Sequence, residues 1–304
     1  MMKTYRLIAL SVAIALAGCT TAPVGPGPGP TTGTTSSKCK NLEQNEAARV
    51  KMFAMADPAN VRPAVISGLK KKNIRVLGYV VDNGDVVYEG DIVVGKVGDL
   101  GTTTKGLVIT GRFHRWPNGD VPYRIHPDLA NADRVRDAIR HWEAKTVLRF
   151  PPYDPAKHTD FVTFVPKTTA HCSSPVGKQG REQRISLSGG CGFGQVVHEI
   201  GHAIGLWHEQ SREDRDNFVC IQWANIDPNF RYNFDQNISN GDDVGGYDYD
   251  SIMHYGDHDF STTGQATIVS LKSGVRLGQR SRLSAGDVAT VRALYTGIAS
   301  ADRF

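Results

Sequence analysis

The chain has 304 residues, 40 % of them hydrophobic and 22 % charged, which is the composition of an ordinary globular protein with one large domain or two modest ones. Its formal net charge is only +4, and acidic and basic residues are mixed throughout the chain. Because no basic stripe is present, we expect no nucleic-acid partner.

The first 18 residues have the organisation of an export signal. Lys3 and Arg6 form a basic start, and the apolar run at residues 7–16 is too short for a membrane-spanning helix. The run ends in Leu16-Ala-Gly-Cys19, which resembles a bacterial lipobox. We therefore expect residues 1–18 to be a lipoprotein signal peptide and Cys19 to carry a lipid that attaches the chain to a membrane.

An ordinary secretory signal peptide, cut near Ala17, is the alternative and needs no cysteine. In both cases the chain is exported to a compartment that permits disulfides. Thr20 replaces the aspartate that retains lipoproteins at the inner membrane, which favours the outer membrane or the cell surface.

Two further segments precede the main domain. Residues 19–37 are almost entirely proline, glycine, threonine and serine, which predicts a flexible, extended tether. Within residues 38–106, the apolar spacing of residues 41–56 is helical, and residues 74–92 alternate like strands. Asn83-Gly84 predicts the hairpin turn between those strands.

Residues 107–304 mix helical and strand patterns and predict an α+β fold. Two segments have helical patterns, a first helix over 133–145 and a final helix that follows Leu283 and ends near Tyr295. Strands are predicted at 121–125, 161–165 and 184–188, and residues 233–250 are rich in turn formers. We expect an upper α+β half, a more irregular lower half, and a cleft between them.

A histidine-rich run, His198-Glu-Ile-Gly-His-Ala-Ile-Gly-Leu-Trp-His208, carries the strongest chemical signal. It is predicted to begin on a helix over 195–206, where the i, i+4 spacing places His198 and His202 on one face. Gly205 can turn the chain after the helix and return His208 to the same point. Three imidazoles suit one Zn²⁺ with a fourth position open for water, and Glu199 can take the proton of that water. The simpler alternative is a core helix with hydrogen-bonded histidines, but such a helix needs no ligand spacing.

This motif, the residue that follows it and three further motifs resemble the astacin family of metzincin zinc peptidases, over roughly residues 107–297. The residue after the third histidine is Glu209, and ahead of this range Tyr88-Glu-Gly-Asp91-Ile resembles the pro-peptide motif of the family. The remaining motifs are Ser251-Ile-Met-His-Tyr255, Trp116-Pro-Asn-Gly-Asp-Val-Pro-Tyr123 and Gln183-Arg-Ile-Ser-Leu-Ser-Gly-Gly-Cys191.

The resemblance implies a zincin-like catalytic domain of two subdomains, 107–304, preceded by a pro-segment, 38–106. It implies that Met253 lies under the zinc and that Tyr255 stabilises the oxyanion. Glu209 would anchor the N-terminus of the mature enzyme, created near Leu107 by an activating protease. Asp91 would ligate the zinc in the zymogen, although a hairpin aspartate or a Cys39 thiolate on the metal are competing interpretations.

The resemblance also implies a disulfide between Cys172 and Cys191. Whether Cys39 and Cys220 pair with each other or stay separate is left open by the sequence. One family disulfide is missing, because Val147 occupies the cysteine position and no cysteine follows Tyr295.

The resulting hypothesis is a secreted, lipid-tethered zinc endopeptidase that acts on proteins or peptides bound along the edge strand near 171–177. Lys272 and Arg276 are candidates for a basic specificity pocket, though plain surface charge is the simpler interpretation. The alternatives are a non-catalytic zinc-containing surface lipoprotein with a peptidase fold and an adhesive surface protein. A thermolysin-like enzyme would leave His208 unexplained.

Overall fold

A computed structural model describes residues 62–67, 74–96, 114–236 and 243–296. The predicted signal peptide, Cys19, the tether, the helix at 41–56 and Cys39 lie outside the described residues. Among the helices of these four ranges, none is long and apolar enough to cross a membrane.

An antiparallel sheet of four strands forms the N-terminal part of the described structure. Its strands are β1 (Arg62–Ser67), β2 (Ile74–Asp82), β3 (Asp85–Tyr88) and β4 (Ile92–Lys96), which pair in chain order. The turn between β2 and β3 is Asn83-Gly84, and both residues have positive φ, 52° and 81°. This is the backbone of the predicted hairpin turn.

A parallel sheet of three strands and two long helices form the upper half of the main domain. The strands β5 (Tyr123–Ile125), β6 (Phe161–Pro166) and β7 (Glu182–Leu187) pair in chain order. Helix α1 (Asp133–Lys145) has the predicted bounds, and helix α2 (Phe193–Ala203) carries the first part of the histidine motif. The last helix, α3, is Ala285–Thr296, as expected from the sequence.

The contact between α1 and α2 is the centre of the hydrophobic core. Val135, Ala138, Ile139 and Trp142 form the apolar face of α1, and all four are buried, as their spacing predicts. The indole nitrogen of Trp142 donates to the backbone oxygen of Val197 in α2, 3.1 Å away. The core therefore holds the histidine-bearing helix both by apolar contact and by a buried hydrogen bond.

The lower half is less regular and has its own small core. Strands β8 (Val219–Ile221) and β9 (Ile268–Ser270) form an antiparallel pair, and a 3₁₀ segment spans Pro228–Phe234. Ile221, Phe234 and Tyr255 belong to the buried cluster of this half. The α+β class is confirmed, with the histidine motif at the junction of the two halves.

Hydrogen bonds hold both ends of the domain where the family disulfide is missing. Val147, at the cysteine position, is 47 % exposed. The indole nitrogen of Trp116 donates to the oxygen of Ala203 at 2.8 Å, and the hydroxyl of Tyr295 donates to the oxygen of Ile204 at 2.8 Å. Both ends of the domain thus contact the C-terminal end of α2.

Candidate metal centre

Helix α2 and the turn after it bring the three histidines together. His198 and His202 lie one turn apart on α2, and the helix ends at Ala203, before the predicted Leu206. Gly205 follows with a φ of 108°, a conformation that a side chain would oppose. The chain then reverses, and His208 faces the other two rings, with ring centroids 5.2 Å from His198 and 4.7 Å from His202.

One ligand atom from each histidine and one carboxylate oxygen of Asp91 lie within 4.8 Å of one another. Oδ2 of Asp91 is 3.2 Å from Nε2 of His198, and Oδ1 of Asp91 is 3.6 Å from Nε2 of His202 and 3.2 Å from Nε2 of His208. All three rings are buried. Asp91 belongs to the turn between β3 and β4, so the N-terminal sheet supplies the fourth group of this cluster.

The outer nitrogen of each ring has its own hydrogen-bond acceptor. Nδ1 of His198 donates to the oxygen of Ile252, and Nδ1 of His202 donates to that of Leu206, both at 2.8 Å. Nδ1 of His208 donates to the carboxylate of Glu89 at 2.7 Å. With a proton on each Nδ1, the three Nε2 lone pairs point to the common site, as metal-binding imidazoles require.

The charge and hydrogen-bond pattern of the cluster fits a divalent cation. Asp91 Oδ1 and His202 Nε2 are buried and have no hydrogen-bond partner among the described residues. Burial raises the pKa of the Asp91 carboxyl, but the charge of His208 and the hydrogen bond with His198 outweigh it and hold the pKa well below the usual range. Three imidazoles and an ionised carboxylate are a suitable donor set for zinc. This cluster could hold one Zn²⁺ and is the candidate zinc site.

Electrostatics within the cluster differ between its histidines. Burial lowers the pKa of His198 to about 3, which keeps that ring neutral. Burial also lowers the pKa of His208, but the charge of Asp91 and the hydrogen bonds to Asp91 and Glu89 raise it to about 9, so a cation that binds here displaces the proton on Nε2 of this ring. Two carboxylates of the N-terminal sheet therefore bring negative charge to one side of the site.

Glu199 lies beside His198 on α2 and is buried. Burial first, and then the charge of Asp91, raises its pKa well above the ordinary value. Its Oε2 atom is buried and has no hydrogen-bond partner within the described ranges. A buried carboxylate with a free oxygen next to a metal ligand can accept a proton from a bound molecule.

Tyr255 points into the same region from the lower half. Its ring lies 4.6 Å from the ring of His208, and its hydroxyl donates to the backbone oxygen of Glu89. Glu89 therefore contacts the site twice, through its carboxylate on His208 and through its backbone oxygen on Tyr255. The side chain of Glu89 is fully buried, and its φ is 48°, a left-handed conformation that a glutamate rarely adopts.

The loop that contains Met253 lies directly beneath α2. A Cβ atom built on Gly201 would be 2.5 Å from the sulfur of Met253, so only glycine permits this approach. Arg280 donates to the oxygens of Ile252 and His254 at 3.1 and 2.9 Å. Asp287 accepts from the backbone nitrogen of Ile252 at 3.0 Å, so α3 also fixes this loop.

Glu209 lies just beyond the zinc site in a largely buried position. Its Oε1 atom accepts from the backbone nitrogen of Asp248 at 2.7 Å and lies 3.6 Å from Nε of Arg212. Burial raises its pKa to about 8. The carboxylate thus occupies an environment that favours a nearby positive charge.

The N-terminal sheet is hydrogen-bonded to the edge of the upper half at Ser174. The backbone nitrogen of Ser174 donates to the oxygen of Asp91 at 2.9 Å, and the oxygen of Ser174 accepts from the nitrogen of Val93 at 3.0 Å. These bonds lie on the stretch, 171–177, that the sequence predicts as the substrate-binding edge. The N-terminal sheet covers both this edge and the zinc ligands.

Two cysteines flank this edge and form a disulfide, Cys172–Cys191, with Cα atoms 6.4 Å apart. Cys220 is also disulfide-bonded, and its partner lies outside the described residues. The two candidates for a basic specificity pocket, Lys272 and Arg276, are both exposed.

Three contributing residues were not identified from the sequence, namely Glu89, Arg280 and Asp287. Glu89 carried a possible signal, because it lies inside the motif that contains Asp91. Arg280 and Asp287 contact the loop of Met253 but lie 27 and 34 residues after it in the sequence. No local sequence pattern predicts contacts between residues so far apart in the chain.

Comparison with known proteins agrees with this site. The model of the astacin peptidase family matches residues 108–296, a range that contains all three histidines. The chain is 41 % identical over 192 residues to zinc metalloproteinase nas-4 of Caenorhabditis elegans, covering 60 % of this chain and 59 % of that protein. It is 34 % identical over 244 residues to zinc metalloproteinase nas-15 of the same organism, covering 70 % and 42 %. It thus spans less than two thirds of either relative.

Among solved structures, the chain is similar to high choriolytic enzyme 1, a hatching-enzyme zinc protease from the medaka Oryzias latipes. The TM-score is 0.54 at 35 % sequence identity, covering 60 % of this chain and 92 % of that one. The family match extends over more than half of the chain and includes the three histidines of the site described above. This chain belongs to the astacin family.

Proposed function

We propose that this protein is a zinc-dependent endopeptidase made as an inactive precursor. The observation that carries the proposal is the convergence of three buried imidazole nitrogens beside the buried carboxylate of Glu199. The similar proteins are zinc metalloproteinases and a hatching-enzyme zinc protease, which supports the same reaction class.

In this proposal His198, His202 and His208 hold the zinc. When bound, the ion supplies Lewis-acid polarisation of the scissile carbonyl and acidifies a water molecule. Glu199 accepts the proton of the attacking water and passes it to the leaving amine. Its burial keeps competing solvent away from that proton transfer.

Tyr255 is the proposed donor to the developing oxyanion. Its hydroxyl lies at the site in a buried position and already donates to a backbone carbonyl, that of Glu89. A carbonyl oxygen of the substrate can take the place of that acceptor once the N-terminal sheet has left. A preorganised hydroxyl of this kind stabilises the transition state without further reorganisation.

We further propose that residues 38–106 are a pro-segment and that Asp91 is the zymogen ligand of the zinc. Asp91 lies within 3.6 Å of all three Nε2 atoms, and its own backbone oxygen pairs with Ser174. The same segment therefore blocks the metal and the substrate edge. An activating protease that cuts before residue 107 would remove this block and free a new N-terminus for Glu209.

Export and membrane attachment complete the proposal. The export signal and the lipobox-like Leu16-Ala-Gly-Cys19 support a lipid on Cys19 at the outer membrane or cell surface. Because the lipid would be on the tether, proteolytic removal of the pro-segment would also release the peptidase from the membrane.

The test is Glu199→Ala in the full chain, before and after limited proteolysis. We expect one zinc per chain by metal analysis in both the variant and the wild type, and cleavage of casein by the processed wild type alone. Chelator should abolish that cleavage, and restored zinc should recover it. Normal cleavage by the variant would show that Glu199 is not the base, and a processed wild type that cleaves no peptide would overturn the proposal.

A further inference from the structure

We propose that Lys167, Thr169 and Ser173 form a carboxylate-binding subsite in the substrate cleft. In the precursor this subsite holds the side chain of Asp82 from the pro-segment, and after processing it binds an acidic side chain of the substrate. The inference depends on the peptidase function proposed above and assigns to it residues that determine its substrate preference.

The subsite consists of polar side chains around one carboxylate. Oδ2 of Asp82, the last residue of β2, lies 2.6 Å from Nζ of Lys167. The hydroxyl of Thr169 donates to the same oxygen at 3.1 Å. Nζ of Lys167 also donates to the hydroxyl of Ser173 at 3.1 Å, which fixes the ammonium group. Lys167 and Thr169 follow the end of β6, and Ser173 lies on the substrate edge, 171–177.

Burial makes the carboxylate necessary. The side chain of Lys167 is only 3 % exposed and that of Asp82 is 18 % exposed. A buried ammonium without a counter-charge is costly, because its hydration is lost and not replaced. Asp82 and Ser173 are the partners of Nζ within the described ranges. Among the described residues, Asp82 is the carboxylate partner of Lys167, and it leaves with the pro-segment. The processed enzyme therefore retains the ammonium group of Lys167 and loses that partner.

The position of the subsite links it to the reaction. Ser173 directly precedes Ser174, whose backbone pairs with Asp91 and Val93 of the pro-segment. A peptide that replaces the pro-segment on this edge places its side chains next to Ser173. Lys272 and Arg276, the basic residues considered from the sequence, are exposed.

The experiment uses the full chain after limited proteolysis and a set of peptides in which Asp replaces Asn, or Glu replaces Gln, at one position at a time. Mass spectrometry gives kcat/KM for each member. We expect one position at which the wild type prefers the acid by about tenfold to hundredfold, the effect of one hydrogen-bonded ion pair. Lys167→Met should remove that preference and leave the neutral peptides unchanged.

Lys178→Met is the matched control. Lys178 forms a partly buried ion pair with Asp160 at 2.7 Å that involves no pro-segment residue. This variant should keep the acid preference. Thr169 is exposed, so Thr169→Val is expected to fold and to reduce the preference by a few-fold, which provides a second test if Lys167→Met does not fold.

A binding measurement tests the subsite independently of peptide hydrolysis. Fluorescence anisotropy of the same peptides with processed Glu199→Ala measures the acid preference without turnover. An acid preference in binding that Lys167→Met removes would support the subsite even if no peptide were cleaved. Cleavage or binding with no acid preference at any position, or with a preference that survives in Lys167→Met and Thr169→Val, would overturn it.

Discussion

Glu89 provides the most direct test of how the N-terminal sheet holds the zinc site. Its carboxylate accepts from Nδ1 of His208 at 2.7 Å, and its side chain is fully buried. Glu89→Ala removes this acceptor and leaves a buried N–H group of a zinc ligand unsatisfied. The backbone oxygen that accepts from Tyr255 remains, so the substitution isolates the side-chain contact.

The expected magnitude follows from these contacts. A hydrogen bond to a charged, buried partner contributes about 1.5–3 kcal/mol, which corresponds to a factor of about 10–150 in an equilibrium constant. Loss of the outer partner of a zinc-bound histidine costs about 10–100-fold in metal affinity. We therefore expect the Glu89→Ala precursor to lose zinc to a chelator at least tenfold faster than the wild type.

The assay is zinc transfer from the unprocessed full chain to a chromophoric chelator, with thermal unfolding measured in parallel. Glu89→Gln keeps an oxygen acceptor without charge and should lie between the wild type and the alanine variant. Glu213→Ala, an exposed glutamate, is the control and should behave as the wild type. Equal zinc release from the wild type and from both Glu89 variants would refute the reasoning.

Two further predictions concern stability. Burial raises the pKa of Asp160, but hydrogen bonds from Lys178 and Arg181 outweigh it and leave the pKa below the usual value. The carboxyl of Asp160 therefore binds a proton less readily in the folded state than in the unfolded state. Asp160→Asn should therefore lower the free energy of unfolding by about 1 kcal/mol at neutral pH. Denaturant titrations should show the stability difference between wild type and variant shrinking as the pH falls through the folded-state pKa of Asp160. A stability difference that stays constant down to acid pH would contradict this. Trp116→Phe removes the 2.8 Å hydrogen bond to the oxygen of Ala203. Because that buried carbonyl loses its donor, the variant should be less stable by about 1–3 kcal/mol in thermal unfolding. An unchanged Tm would show that this hydrogen bond is not needed.

Most of the fold could be predicted because local patterns encode it. The four apolar residues of α1 recur at helical spacing, and the helix has the predicted bounds. For helix α2 the sequence predicts residues 195–206, whereas the helix spans Phe193–Ala203, so the predicted start is two residues late and the predicted end three residues late. Its end depends on Ile204, which leaves the helical region with φ −93° and ψ 0° before the turn at Gly205. Propensity does not distinguish an apolar residue inside a helix from one that ends it.

The site was predictable where its members are close in sequence. His198, His202 and His208 lie within eleven residues, so helix geometry alone brings two of them together. Glu89 and Lys167 were not recognised, because their roles depend on partners 119 and 85 residues away, His208 and Asp82. A glutamate in a turn and a lysine after a strand look like ordinary surface residues until the two sheets are docked.

The bonds of Trp116 and Tyr295 to the end of α2 span 87 and 91 residues in opposite directions along the chain. During synthesis the segment with Tyr295 leaves the ribosome long after the histidines, and contacts of such sequence separation form late. The turn that returns His208 to the other ligands therefore acquires this support only after residue 295 has been made. A nascent polypeptide that has reached the histidines but not Tyr295 would carry the three ligands without that support, so the metal centre is held in place only once the last helix has folded.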